Sequence, residues 1–529
     1  MSSTPLRAAL ALALSAALAF LACGGVAPEV PADTADTAVA ADTTVDDAGA
    51  DALDAAPTDG DDGDDGLADD ADGGPTDTAP AGDADANPAP ADPYEAFFAD
   101  DVVHEIELDV TPAEWRALSD HMRAYAATDS LMRSGRYFRA TFRYRGPAGD
   151  VVLDDVGFRT RGNTTRTVPE DEDGTRHRAH WKLDFNRPFD EAPGTPAYEA
   201  RKDRRFATLR ALNLKWADDE DDPSKIRERF AYTLFREAGV PAPRVAAAHL
   251  VIKIGDEAVD YGLYTAIEDV DKGFLKARFG SDDDGDLYKC LWVNEGPATL
   301  QPITNPRAVG VKAWETNYRP AYDLQSNEDV SQHERLLALV DALATKSGDE
   351  LADWLDAHFE VPLFLRGLAL NVLIGMPDDY WAMGNNYYLY FAESGRAVFI
   401  PYDYDHGLGG GWCGTPAWSC DAIATADVHL WKNLNVAFGV SGARHPLVDK
   451  VLSIPRYREA YDAALSELIG PAGVFSRGAW EARYAAWEAD YAPFLDNDLD
   501  EGETMRAPEE TGAWIDAKIR AVTSQLGLD

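Results

Sequence analysis

The alternation of apolar and polar positions divides the chain into a strand-rich first half and a helix-rich second half. Period-two alternation predicts the strands Val102–Val110, Tyr137–Tyr144, Val151–Arg161, His180–Phe185, Ala207–Trp216, Val245–Ile254 and Tyr261–Glu268. Helical spacing and capping residues predict helices that begin at Thr111 and Asp222, a short helix over 269–279, and Glu334–Ala344, Glu350–His358, Pro362–Ile374, Pro446–Leu452, Tyr457–Leu468, Ala479–Phe494 and Glu510–Leu526. This order favours an α+β fold with two lobes.

One predicted hairpin interrupts the helical half. Aromatic and β-branched residues at Tyr387–Phe391 and Ala397–Tyr402 flank the turn 393–396. Acids and amides stand on both sides of this hairpin, namely Asp378, Asp379, Asn385, Asn386, Asp403 and Asp405. Phosphoryl transfer needs a carboxylate for the acceptor hydroxyl, and an amide and a second carboxylate for metal ions, in this order. Because Asp is also a common helix cap and turn residue, the stretch by itself leaves both interpretations open.

Two further patterns in the first half are consistent with phosphate binding. Lys182 lies on a predicted strand and Glu228 early on a predicted helix, and kinase folds use such a pair to hold the nucleotide phosphates. Arg159, Arg161 and Asn163 lie at a glycine-containing turn that could cradle phosphate. Taken separately, Lys182 and Glu228 could equally be surface residues, and the turn could equally be an ordinary hairpin turn.

Composition separates the start of the chain from the rest. Of 529 residues, 93 are Asp or Glu and 48 are Lys or Arg, which gives a formal net charge of -45. No Lys or Arg occurs between Arg7 and Arg116, and residues 24–92 contain almost no large apolar side chain. We therefore expect an acidic, disordered tether acting as a solvated spacer. No basic patch in the sequence indicates nucleic-acid binding.

The first 23 residues resemble an export signal. Arg7 precedes the apolar run Ala8–Ala22, which is short for a membrane span. Cys23 follows in the manner of a bacterial lipoprotein processing site, although Phe20 stands where Leu is usual. Lipidation at Cys23 and simple secretion both remain open, and either predicts an exported protein.

Three cysteines lie beyond Cys23. Cys413 and Cys420 flank a turn and could form a short disulfide loop, whereas Cys290 lies in an apolar run and is expected to be a buried thiol. No Cys or His spacing indicates zinc.

Several long segments, taken together, resemble the CotH kinase family, atypical secreted protein kinases named for a bacterial spore-coat protein. They are FRTRGNTTR, HWKLDF, LNLKWADDEDDPSKIRERFAYTLFREAGVPAPR, YGLYTAIEDVDKGFLKARFG, DLYK, PDDYWAMGNNYYLY and FIPYDYDHGLG, over roughly 151–411. Their order along the chain makes the resemblance more specific than any one motif.

The resemblance implies a two-lobed kinase-like fold, with an N-lobe over 94–290 and a helical C-lobe over 291–529 after a signal (1–23) and linker (24–93). It implies transfer of the ATP γ-phosphoryl group to Ser or Thr of proteins, with Mg²⁺ or Mn²⁺. Asp378, or its neighbour Asp379, would be the catalytic carboxylate. The phosphate-binding residues would be Arg159, Arg161, Asn163, Lys182, Glu228 and Glu268, and the metal ligands Asn385, Asn386, Asp403 and Asp405.

Two other functions remain in view. A catalytically weak pseudokinase could act as a cell-surface or coat adhesion protein, because kinase-like folds are reused for binding. A glycosidase with paired carboxylates is the third class, but it has no use for a strand Lys and a helix Glu. The sequence leaves the acceptor protein and the oligomeric state open.

Overall fold

A computed structural model describes residues 92–128, 134–162, 165–217, 222–314, 316–410, 420–430, 444–500, 502–506 and 509–528. The predicted signal, the predicted tether up to residue 91, Asn163, and the Cys413 half of the predicted disulfide lie outside these described residues. Cys290 is a buried free thiol, as predicted.

A closed barrel is formed by the strands of the first half, in the order β1-β2-β3-β4-β5-β7-β6. Their bounds are β1 Val103–Val110, β2 Phe138–Arg145, β3 Val151–Thr160, β4 Trp181–Asp184, β5 Ala211–Lys215, β6 Val245–Ile254 and β7 Glu257–Glu268. Trp181 and Leu214 belong to its aromatic and aliphatic core. Because side chains alternate along a strand, Lys182 and Lys215 lie on the opposite face from that core.

A second sheet of five strands has the order β12-β11-β8-β10-β9. Its strands are β8 Asp286–Cys290, β9 Val309–Gly310, β10 Tyr322–Leu324, β11 Tyr387–Phe391 and β12 Ala397–Pro401. β8 pairs antiparallel with both β10 and β11. One face of the sheet packs Tyr388 and Ile400 against Phe274 and Leu275 of a short helix.

The described helices follow the chain as α1 Pro93–Phe97, α2 Pro112–Thr128, α3 Pro196–Lys202, α4 Arg227–Glu237, α5 Lys272–Phe279, α6 Glu334–Thr345, α7 Gly348–His358, α8 Val361–Ile374, α9 Tyr380–Met383, α10 Cys420–Ala424, α11 Pro446–Val451, α12 Pro455–Ile469, α13 Arg477–Tyr491 and α14 Glu509–Leu526. α8 contacts α4, α12 and β12. It ends at Gly375, whose φ of 70° favours glycine and where a Cβ would come within 2.6 Å of Trp514. This sharp end directs the following acids toward the hairpin.

The prediction of an α+β fold and of the hairpin β11–β12 is confirmed. In the described residues the second half is helix-rich, as predicted, and the hairpin belongs to a five-stranded sheet whose strands β8 to β10 were not predicted. β8 begins at Asp286 and pairs with β11, a contact that local pattern does not reveal. The expected strand Ala207–Trp216 is shorter, Ala211–Lys215. Among the described helices, none has the length and apolar character needed to cross a bilayer.

Candidate active site

Lys215 lies at the centre of a cluster of carboxylates. It is the last residue of β5, and its Nζ lies 2.5 Å from Asp403 Oδ1, 2.9 Å from Asp405 Oδ2 and 3.1 Å from Glu228 Oε2. Burial acts to lower the pKa of Lys215, but Asp403, Asp405 and Glu228 outweigh burial and raise that pKa well above its ordinary value. The ammonium therefore joins the first turn of α4 to the segment after β12.

Glu228 carries an unsatisfied oxygen in this cluster. Burial, with Asp405 and Asp403 nearby, raises the pKa of Glu228 to about 7 against the effect of Lys215. Its Oε1 is buried and, within the described part of the chain, has no hydrogen-bond partner. Three carboxylates share one ammonium, so the cluster has an excess of negative charge.

Asp403 is held in an unusual backbone conformation. Its φ of 63° lies in the left-handed region, which costs a residue with a side chain about 1 kcal/mol or more. Its N–H donates to the Tyr232 hydroxyl at 2.8 Å, and Tyr232 lies one helical turn after Glu228 on α4. This tie fixes the turn after β12 against α4, so that Asp403 reaches Lys215.

Asp378 is oriented by the two asparagines. Its Oδ1 accepts from Asn385 Nδ2 at 2.7 Å and its Oδ2 from Asn386 Nδ2 at 3.0 Å, while Asn385 Oδ1 accepts the Trp292 N–H at 2.6 Å. Burial raises the pKa of Asp378 to about 6. Asn385 therefore holds Asp378 through its Nδ2 while its Oδ1 accepts a backbone N–H, and the metal-ligand role of Asn385 and Asn386 stays a prediction.

Asp379 has a different role from its neighbour. Its Oδ1 accepts the Ala382 N–H at 2.9 Å and its Oδ2 the Trp381 N–H at 3.2 Å, so it is the N-cap of α9. Asn371 also donates to Oδ2. Its carboxylate therefore serves as a helix cap. Asp378, whose oxygens accept from side-chain amides, is the member of the predicted pair that has Asp403 and Asp405 as electrostatic neighbours.

The expected pairing of Lys182 with Glu228 is wrong. Lys182 lies opposite Asn213 on β5, and both bind Asp269: Lys182 Nζ is 2.7 Å from Oδ2 and Asn213 Nδ2 is 3.0 Å from Oδ1. Lys215, two residues beyond Asn213, takes the place expected for Lys182. Both lysines have apolar neighbours on strands, so the sequence pattern could not distinguish them.

The structure does not bring Glu268 into the cluster. Its carboxylate is almost fully buried and accepts from the Tyr94 hydroxyl at 2.6 Å, the Arg244 N–H at 3.0 Å and Arg278 Nη2 at 2.6 Å. Those contacts occupy both oxygens, so the predicted nucleotide role is corrected to a structural one. The next residue, Asp269, is the acid that faces the site through Lys182.

The two predicted arginines separate. Arg161 Nη2 donates to the Tyr402 hydroxyl at 2.9 Å, and the carboxylates of Asp403, Glu228 and Asp269 are electrostatic neighbours of its guanidinium. Arg159 Nη1 instead donates to the Thr160 carbonyl at 3.0 Å, and its guanidinium stacks on aromatic rings outside the cluster. Only Arg161 is therefore in contact with the site residues.

Lys289 is a site residue that the sequence analysis missed. It lies on β8, with Nζ 4.5 Å from the ring of Tyr402 and 5.6 Å from that of Tyr388. Burial first, and then Arg161, lower the pKa of Lys289 to about 7. The segment DLYK alone did not indicate this position, because β8 reaches the site only through its pairing with β11.

A comparison with known protein families shows to which family the chain belongs. A family model described as "CotH kinase protein" matches residues 158–524, well over half of the chain. The chain belongs to the CotH kinase family. The match to the CotH model includes Arg161, Lys215, Asp378 and Asp405, and it extends beyond the segments that carried the sequence resemblance. A search of curated proteins found no match.

Proposed function

We propose that this CotH family member transfers the γ-phosphoryl group of ATP to Ser or Thr hydroxyls of proteins. One observation carries the proposal: Lys215 draws Glu228, Asp403 and Asp405 together beside Asp378. A protein that only binds a partner has no need for so many buried charges at one point, because desolvating each of them is costly.

Asp378 is the residue proposed to accept the hydroxyl proton. Its pKa of about 6 leaves it ionised at neutral pH but basic enough to receive a proton. Donation from Asn385 and Asn386 fixes both carboxylate oxygens. The acceptor hydroxyl would thus meet a carboxylate that is already oriented, which lowers the entropic part of the barrier.

The phosphate groups are proposed to bind the cations that surround Tyr402 and the carboxylates. These cations come from three strands and the loop after β3, and they are Arg161, Lys182, Lys215 and Lys289. Each lies in electrostatic range of Asp403 or Asp269. Fixed cations stabilise the charge that spreads over the transferred group.

The donor set also fits a divalent cation. In the ranges that the structure describes, no three His, Cys, Asp or Glu side chains are arranged as a metal centre. Nevertheless Glu228 has an orphaned buried oxygen, and Asp403 and Asp405 are hard oxygen donors beside it. These three residues would hold Mg²⁺ or Mn²⁺, which when bound neutralises phosphate oxygens.

The experiment is phosphate transfer from labelled ATP to a mixed protein substrate by the full chain, beside Asp378→Asn and Asp405→Asn. Asp349→Asn, at an exposed position on α7, is the matched control. We expect label transfer by the wild type and the control, and loss of at least about a hundredfold in both site variants. Equal transfer by all four proteins would contradict the assigned residues. No transfer and no nucleotide binding by the wild type would instead favour the adhesion function.

We further propose that the protein is exported and anchored through Cys23. The basis is sequence alone: the apolar run 8–22 followed by Cys23, then an acidic segment of the composition of a spacer. Cys23→Ser should release the protein from the membrane fraction while export continues. Membrane retention of this variant would contradict lipidation.

A further inference from the structure

His180 is a buried histidine beside the carboxylate cluster, and the proposed mechanism so far gives it no role. It lies immediately before β4 and is 7% exposed. β4 and β5 pair antiparallel, and their register, extended by one residue, places His180 opposite Lys215. Side chains alternate along a strand, and the next residue, Trp181, belongs to the barrel core. His180 therefore lies on the outer face of the barrel, beside Lys215 and its carboxylates.

His180 is held both at its ring and at its backbone. Its Nδ1 accepts the Trp216 N–H at 3.3 Å, and its carbonyl accepts the Arg161 N–H at 2.8 Å. A nitrogen that accepts a backbone N–H carries no proton, so the proton of the neutral ring is on Nε2. The fold thus sets which nitrogen of His180 is the donor.

The surroundings of His180 keep its ring uncharged. Burial first, and then Lys215 and Arg161, lower the pKa of His180 well below its ordinary value, against the opposite effect of Asp405. A neutral imidazole offers one N–H donor without adding another positive charge beside the two cations. It can therefore lie close to them at no cost in charge repulsion.

The donor nitrogen of His180 is not used by the fold. Within the described part of the chain, Nε2 makes no hydrogen bond, although the residue is more than nine-tenths buried. Such an N–H is costly to leave without an acceptor. The nearby side chains of Asp403 and Asp405 are 31% and 34% exposed, so a ligand can reach this part of the site. The geometry favours an acceptor that a ligand supplies.

We propose that His180 donates a hydrogen bond from Nε2 to a phosphate oxygen of bound ATP, as a further substrate-binding residue of this site. The assignment rests on the proposed function, since it takes ATP as the phosphoryl donor. Arg161 and Lys215, the cations next to the ring, are the residues already proposed to bind these phosphates. A phosphate oxygen accepts several hydrogen bonds at once, so the three donors can converge on one group. Because its proton is on Nε2, His180 does not offer that nitrogen to a metal ion.

Two variants at this position separate the donor from the rest of the ring. His180→Gln keeps an amide N–H at the length of Nε2, whereas His180→Leu keeps no donor, and both lose the imidazole. In calorimetric titrations of the full chain with ATP and Mg²⁺, we expect His180→Leu to weaken binding about ten- to a hundredfold and His180→Gln less than about threefold. Titration with adenosine, which has no phosphate, should not differ between the variants and the wild type. His358→Leu, at an exposed position on α7, is the control and should leave ATP binding unchanged.

A second measurement distinguishes contact with phosphate from an effect through Asp405. Binding of Mn²⁺ without nucleotide is followed by electron paramagnetic resonance, and we expect His180→Leu to stay within about twofold of the wild type. A loss of Mn²⁺ affinity as large as the loss of ATP affinity would show that His180 acts through the carboxylates, and this would overturn the proposal. Equal weakening of ATP binding by His180→Gln and His180→Leu would overturn it too, since the ring would then matter only for packing. Melting temperatures show whether each variant is folded.

The wild-type protein provides a test that does not depend on any variant being stable. With ¹⁵N-labelled histidine, the ring signals of His180 are those that disappear in His180→Gln. We expect the proton on Nε2, and a shift of this signal when adenylyl-imidodiphosphate and Mg²⁺ are added but not when adenosine is added. A proton on Nδ1, or an Nε2 signal that the nucleotide does not move, would overturn the proposal. If the nucleotide shifts the signal but no phosphate is transferred to protein, the proposed function fails while the phosphate contact of His180 stands.

Discussion

Replacing Lys215 by Met should destabilise the protein more than the same change at Lys182. Lys215 Nζ contacts three carboxylates within 3.1 Å, whereas among the residues that the structure describes Lys182 pairs with one carboxylate, Asp269. Without the Lys215 ammonium, Glu228, Asp403 and Asp405 repel one another in a partly desolvated space. Asp269, by contrast, keeps its hydrogen bond from Asn213.

The magnitudes follow from these contacts. Removing one partner of a buried ion pair costs about 3–5 kcal/mol, and we expect Lys215→Met to lie in that range at pH 8. Lys182→Met should cost about 1–3 kcal/mol, the penalty for one weakened buried contact. For the 400 described residues the unfolding entropy is ~0.8 kcal/mol/K, so a loss of ~4 kcal/mol lowers the melting temperature by about 5 °C.

The loss should also depend on pH. The pKa of Glu228 is already raised to about 7, so its stabilising contribution is full below about pH 4.5 and is lost as pH rises through 7. Without Lys215 the pKa of Glu228 rises further. Protonation then relieves the repulsion, and the deficit of Lys215→Met should be smaller at pH 5 than at pH 8.

Thermal melts of both variants at pH 5 and pH 8 measure these differences, with Lys276→Met on the exposed side of α5 as control. The control should stay within about 0.5 kcal/mol of the wild type. Equal melting temperatures for Lys215→Met and Lys182→Met, or a deficit that does not change with pH, would refute the reasoning.

Three further predictions concern single residues. Because Asp378 must be ionised to accept a proton and has a pKa of about 6, kcat/KM should rise with pH up to about 6 and then level off. Asp378→Asn should lower kcat by about 10²–10⁴-fold and abolish the rise of kcat/KM with pH. A wild-type kcat/KM that does not change between pH 5 and 7 would contradict the role of Asp378 as the proton acceptor. Lys289, with a pKa of about 7, carries charge only below that pH, so KM for ATP should increase from pH 6 to pH 8. In Lys289→Met the KM for ATP should be high at both pH 6 and pH 8. A pH profile of this KM that equals the wild-type profile would exclude contact between Lys289 and the phosphates. Glu268→Gln should lower stability by about 3 kcal/mol through the loss of the Arg278 pair, but leave KM for ATP within about twofold, as melting and initial-rate measurements will show.

The residues nearest the hairpin were predictable because their relations are local. Asp378, Asn385, Asn386, Asp403 and Asp405 lie within one short stretch, and a helix end followed by a hairpin leaves few ways to arrange them. The hydrogen bonds that join Asp378 to Asn385 and Asn386 span only seven or eight residues. Pattern and turn chemistry are therefore enough to place these three together, whereas Asp403 reaches Lys215 and Tyr232 through tertiary contacts.

Prediction from local sequence patterns fails for the two lysines. Lys182 and Lys215 both lie on strands between apolar residues, and the pairing of β4 with β5 sets which of them faces α4. The role of Glu268 was misassigned for a similar reason, since Tyr94 and Arg278 reach it only after α1 and α5 pack beside β7. Neither contact can be predicted from a short stretch of sequence.

The sequence by itself determined the α+β composition, the hairpin and the acids around it, because hydrophobic period and turn residues act over a few positions. Only the tertiary structure decided that Lys215 contacts Glu228 and that β8 brings Lys289 to the site. Those contacts depend on barrel closure and strand register, which are set by pairings between strands distant in the sequence, such as β1 with β6.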